Sequence, residues 1–176
     1  YVYGSNQAQS SGNDFTVRRL GGNRLTGYNW ETNYSNAGSD YQHSSDDFLL
    51  RNGDVPQSEW REPASVVTDF HEEALDMGAE TVVTLQMAGY VSADNDGPVT
   101  EAQTAPSPRW DSVEYQKDAS FTLSPDTDDG TVYMDELVHF LTEQYGDASA
   151  EDGVRWYALD NEPALWPDTH PRIHSE

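Results

Sequence analysis

Two spacings alternate along the chain. The first is the short apolar or β-branched run of a strand. Four segments read as strands: Tyr1–Tyr3, Val17–Leu20 with Arg18-Arg19 between its apolar ends and closed by Gly21-Gly22, Thr81–Leu85 and Trp156–Leu159. The second is the helical interval. Val67, Phe70, His71, Ala74 and Met77 share one face, and Gly78 is placed to stop that helix. Met134, Leu137, Val138, Leu141 and Tyr145 repeat the face, and Gly146 follows as the stop. Strand, helix, strand, helix, strand predicts an α/β fold of parallel βα units. No repeat or low-complexity tract divides the 176 residues, a length suited to one domain.

The segments after the second and third strands are long. Roughly forty residues separate Gly22 from the helix near Pro63, and a similar stretch separates Met87 from the helix near Val132. Both leave the carboxyl end of a strand, the face on which βα proteins build their sites. They hold Tyr28, Trp30, Tyr34, Tyr41, Trp60, Tyr90 and Trp110. Aromatic rings on polar loops suit a flat amphipathic ligand such as a sugar; alternatively, several of them pack the loops themselves.

Composition narrows the function classes. Lys plus Arg is 9 against 32 Asp plus Glu, a formal net charge of −23. Nucleic acid and anionic membrane surfaces call for a basic face, so neither is an expected partner. No apolar run approaches the ~20 residues of a membrane span. The absence of cysteine excludes disulfides, thiolate zinc sites and a cysteine nucleophile. Eight of the nine cationic residues are Arg, and Lys117 is the exception. Acids scattered along the whole chain favour a secreted protein of a saline milieu, where salt screens self-repulsion. The rival is an ordinary acidic secreted protein. No signal-peptide pattern precedes Tyr1, so the sequence reads as a mature chain or a piece of a longer one.

The fourth strand runs into Asp160-Asn161-Glu162-Pro163. A carboxyl at a strand's carboxyl end, among apolar and aromatic neighbours, has a raised pKa and donates a proton near neutral pH. Asn161 is placed to hydrogen-bond a sugar hydroxyl beside the cleaved bond. The pattern suggests a retaining glycosidase, with one carboxyl as acid/base and a nucleophile ~5–5.5 Å away. Asp160, two residues earlier, would share the facing of Glu162 on a regular strand, one layer deeper. The plainer alternative is a strand-end Glu that caps the next helix.

Longer strings resemble glycoside hydrolase family 44: YALDNEPALW at 157–166, THPRIH at 169–174, RRLGGNRLTGYNWETN at 18–33, SNAGSD at 35–40, MAGYV at 87–91 and TAPS at 104–107. The resemblance implies a (β/α)8 TIM barrel with a small β-sandwich attached. It implies retaining endo-hydrolysis of β-1,4-glucans, of the cellulose and xyloglucan type. Glu162 then matches the acid/base and Asn161 the residue that holds the sugar at the cleavage point. Asn23 and Trp30 should line the cleft. Tyr41, where relatives are expected to carry Trp, becomes a smaller stacking platform. Trp166, His170 and His174 lie just past the catalytic strand and line the cleft too, unless the histidines serve structural hydrogen bonds.

Asp126, Asp128 and Asp129 precede Gly130 in an acidic turn. Carboxylates so spaced suit Ca²⁺, although this is not an EF-hand. Family members can carry a structural calcium, for which Glu59, Asp126 and Asp129 are the candidate ligands. The alternative is a solvated, metal-free turn. Catalysis itself requires no cofactor. A complete barrel takes about 250 residues. Residues 1–176 would therefore be its first half, about four βα units, without the remaining barrel, the β-sandwich or the nucleophile. Open strand edges would favour self-association. The rival functions are a non-catalytic glucan-binding half-barrel and a related barrel glycosidase such as an arabinofuranosidase.

Overall fold

The computed structural model describes residues 4–6 and 15–174. The strand expected at Tyr1–Tyr3 lies outside the described residues. Strand β1 is Gly4–Asn6, followed by β2 (Val17–Leu20) and the short helix α1 (Asn23–Thr26). Then come β3 (Ser35–Asn36), β4 (Ser44–Asp46), α2 (Phe48–Asn52), α3 (Ser65–Asp76) and β5 (Glu80–Leu85). The second half holds β6 (Tyr90–Ser92), β7 (Gly97–Pro98), β8 (Trp110–Glu114), β9 (Thr131–Tyr133), α4 (Met134–Tyr145), β10 (Trp156–Leu159) and α5 (Trp166–Thr169).

The central sheet has the order β1-β2-β5-β10, and every pair is parallel. Parallel neighbours need a crossover, and α3 and α4 supply it between β2, β5 and β10. Register and burial divide the sheet into two faces. Leu20 lies opposite Val83, and Val83 opposite Tyr157; this row packs into the main core with Val67, Phe70, Leu137 and Leu141 of the helices. Arg19, Val82 and Trp156 form the adjacent row, and there Trp156 is exposed. Both helices end where their stop residues predict, before Gly78 and at Gly146.

The two long loops are structured. Residues 35–52 and 97–98 make a three-stranded sheet β3-β4-β7 and the helix α2, while β6, β8 and β9 make another. A second apolar cluster of Ala88, Val99, Trp110, Trp166 and Ile173 lies beneath them. One buried ion pair fastens the segment after β8 to α4. Glu136, with no exposed surface, accepts Lys117 Nζ at 2.6 and 2.7 Å and the Thr122 N–H at 2.8 Å.

One face is left apolar. A groove of about 590 Å³ runs along α4 and the ends of β5 and β10, lined by Leu85, Met87, Phe121, Met134, Val138 and Leu159. Leu159 is 65% exposed there, and the outer edge of β10 has no partner strand among the described residues. No described helix is long and apolar enough to cross a membrane.

Candidate active site

The carboxyl ends of β2, β5 and β10 lie side by side, so residues following them fall within about 10 Å of one another. After Leu159 the chain leaves strand geometry. Asp160 has φ 58° and Glu162 φ 45°, both left-handed. Asp adopts this region more readily than Glu, for which it costs about 1–2 kcal/mol. Asp160 and Glu162 therefore do not share a strand facing, contrary to the regular-strand expectation. Asp160 is turned inward and buried. Its Oδ1 accepts the Thr26 hydroxyl at 2.6 Å and the Asn161 N–H at 2.7 Å, and its Oδ2 accepts the Met87 N–H at 2.7 Å. Glu162 points out, exposed, with Asn161 Nδ2 donating to its Oε2 at 3.2 Å. The apolar enclosure expected around Glu162 is not supplied by this chain.

Asn161 joins the strand ends. Its Oδ1 accepts Arg19 Nη2 at 3.1 Å, and its Nδ2 also donates to Asn23 Oδ1 at 3.1 Å. Arg19 reaches it by lying against Gly21, where a β-carbon would collide with the guanidinium. Asn23 donates through Nδ2 to Asp40 at 2.7 Å. Arg19 and Asp40 are members of this network that sequence reasoning did not single out. Their sequence signal was their position within the quoted strings at 18–33 and 35–40.

The remaining expected cleft residues divide. Tyr41 is 52% exposed, with Arg24 4.2 Å above its ring, and borders a groove of about 370 Å³ shared with Asn23 and Asp40. Its position suits a stacking platform. Trp30 is a correction: it has no exposed surface, donates Nε1 to the Tyr133 carbonyl at 3.2 Å, and packs 5.8 Å from Phe140 of α4. It is a core residue because the loop after α1 folds inward against α4. Trp166 is likewise buried, its Nε1 donating to the Asn161 carbonyl at 2.9 Å, so it buttresses the site from behind. His170 is 2% exposed, and its Nε2–H donates to the Asn23 carbonyl at 2.9 Å. Burial pushes its pKa below the ordinary histidine value, against the opposing pull of that hydrogen bond. Its role here is to hold the Asn23 backbone. His174 packs edge-on to Trp166 at 5.1 Å. Gly38 lets α5 approach closely enough for these contacts, since a β-carbon there would strike the Thr169 carbonyl.

The calcium candidates do not converge. Among the described residues no three acidic or histidine side chains form a group able to hold a metal ion. Asp126 and Asp129 instead accept the N–H groups of Asp128 and Thr131, as short turns do. Asp129 acts on Glu31 and Asp111, which sequence reasoning did not join to it. Glu31 is 4% exposed, and burial, then Asp129, Glu136 and Asp111, push its pKa up to about 8, with Lys117 opposing.

Parallel βα units that gather polar and carboxyl side chains past the strands' carboxyl ends have the arrangement of a βα-barrel enzyme, whose site is built at that end. The sequence profile of glycoside hydrolase family 44 matches residues 34–176, and the chain belongs to that family. It is 59% identical over 175 residues to endoglucanase A of Paenibacillus lautus, covering 99% of this chain and 25% of that protein. A family 44 endoglucanase from Clostridium thermocellum superposes with a TM-score of 0.97 at 56% identity. A family 44 xyloglucanase from Paenibacillus polymyxa, solved with xyloglucan, does so with 0.97 at 57%. Each of these structures covers all of this chain, and the chain covers 34% of each. The chain thus spans between a quarter and about a third of the length of the relatives named here.

Proposed function

We propose that this chain is the part of a retaining endo-β-1,4-glucanase that carries the general acid/base, Glu162, and that its substrates are cellulose-type glucans and xyloglucan. The observation that carries the reading is the exposed Glu162 carboxylate at the carboxyl end of β10, with the Asn161 amide 3.2 Å from it. The activities named for the family 44 relatives supply the substrate class.

In this mechanism Glu162 protonates the glycosidic oxygen as the bond breaks. It then takes a proton from the water that releases the glycosyl-enzyme. The Asn161 amide turns from Glu162 to a sugar hydroxyl beside the scissile bond. Tyr41 offers its exposed face to a sugar ring, and Asn23 and Asp40 offer polar groups beside it. The nucleophile must lie ~5–5.5 Å from the acid/base. Asp160 has both oxygens engaged and turned inward, and Glu31 is buried beside Asp111 and Asp129. The nucleophile accordingly belongs to another part of the longer protein. The acidic composition supports a secreted enzyme of saline surroundings.

The test is Glu162→Gln in the complete enzyme. Turnover on carboxymethylcellulose and xyloglucan should fall by ~10²–10⁴-fold. The loss should shrink on aryl β-glycosides with good leaving groups, which need little protonation. Parental activity of the variant on both polymers would refute the assignment. If the parent itself binds both polymers and cleaves neither, the non-catalytic binding role is correct.

A further inference from the structure

We infer that Asp160 is a positioning residue for the acid/base: its buried carboxylate locks three strand ends together and fixes the backbone that presents Glu162. The inference rests on the reading of Glu162 given above.

Asp160 is 5% exposed and gathers donors from three separate segments. The Thr26 hydroxyl comes from the end of α1, beyond β2; the Met87 N–H lies just past β5; the Asn161 N–H belongs to the catalytic turn. The Asp160 N–H also donates to the Leu85 carbonyl at 3.0 Å. One side chain thus joins the carboxyl ends of β2, β5 and β10.

The turn needs such a lock. Glu162 sits at φ 45°, a conformation that a glutamate seldom takes unaided. Oδ1 of Asp160 holds the 160–161 peptide by its N–H, and that peptide sets the direction of Asn161. The Asn161 amide in turn reaches Glu162 and Asn23. Asp160 acts through these groups and does not meet substrate itself.

All three contacts are donors, and two are backbone N–H groups that cannot reverse. An ionised carboxylate, which only accepts, satisfies them all. Asparagine has the same shape and one acceptor oxygen. Whichever way its amide turns, the NH₂ faces the Met87 N–H or the Asn161 N–H.

The experiment compares the complete parent enzyme with Asp160→Asn, Glu162→Gln and the double variant. The substrates are xyloglucan and aryl β-cellobiosides with graded leaving groups. Asp160→Asn should lower kcat on xyloglucan by roughly 10–10²-fold, part of the general-acid contribution. KM should stay within about twofold. The loss should fade as the leaving group improves, and the alkaline limb of the pH–rate profile should move. Added to Glu162→Gln, Asp160→Asn should cost little more on xyloglucan, because residues acting as a unit are not additive. If Asp160→Asn does not fold, Thr26→Val, which removes one donor, should show the same leaving-group trend at about 3–10-fold. Equal loss on every leaving group, or full additivity with Glu162→Gln, would overturn the inference. So would a parental kcat on xyloglucan in the folded Asp160→Asn variant, or in Thr26→Val where only that variant folds. An active Glu162→Gln would instead remove the acid/base reading beneath it.

Discussion

A carboxyl withdrawn from water and set among other acids keeps its proton to high pH. Glu31 is such a group, raised from 4.5 to about 8 by burial, Asp129, Glu136 and Asp111. Its folded-state pKa lies above its unfolded value, so the folded chain binds the proton more tightly. The stabilisation is fully present below about pH 4.5 and is lost as pH rises through 8. Glu31→Gln removes the titration. In chelator-containing buffer the variant should unfold at a higher temperature than the parent at pH 9, and their difference should narrow toward pH 4. Equal midpoints at pH 9 would show that Glu31 is not held in this way.

At the scale of elements, burial decides what the sequence makes legible. Val17–Leu20 and Trp156–Leu159 have the same bounds in the sequence reading and in the structure. The first ends abruptly at Gly21-Gly22, and the apolar run of the second ends at Asp160. The strands β3, β4 and β7 have two or three residues each, too few to show a period. Trp30 misled for a different reason. Its neighbours Asn29, Glu31 and Asn33 are polar, which reads as exposure, yet all three are buried. The two asparagine side chains satisfy backbone groups: Asn29 Nδ2 donates to the Ser92 carbonyl at 3.2 Å and Asn33 Nδ2 to the Glu62 carbonyl at 2.7 Å. Polar sequence here is internal scaffolding. The Asn161-Glu162 pair was legible as a local string; its supports at Arg19, Thr26 and Met87 come from distant segments and were not.

The pair Lys117–Glu136 is the corresponding element-scale test. Lys117→Met leaves Glu136 buried without its counter-charge, which should destabilise the fold by about 3–5 kcal/mol. Replacing both residues with Met should recover most of the loss. Urea unfolding of the three proteins measures it, and a single-variant loss below about 1 kcal/mol would mean the pair is not holding the segment to α4.

Across the whole molecule the net charge of −23 sets the dominant long-range force. The midpoint of thermal unfolding should climb from low to molar salt and level off near ~1 M, where the Debye length is ~3 Å. A flat or falling midpoint would remove the saline reading. The same screening gives the apolar groove along α4 a second meaning. In dilute buffer, like charge holds copies of the chain apart, and among the described residues nothing covers the exposed Leu159 or the outer edge of β10. Concentrated salt shrinks that barrier to the range of apolar contact itself. For this chain by itself, colloidal and conformational stability would then run in opposite directions, and the remainder of the longer protein, by covering the groove, would remove that conflict.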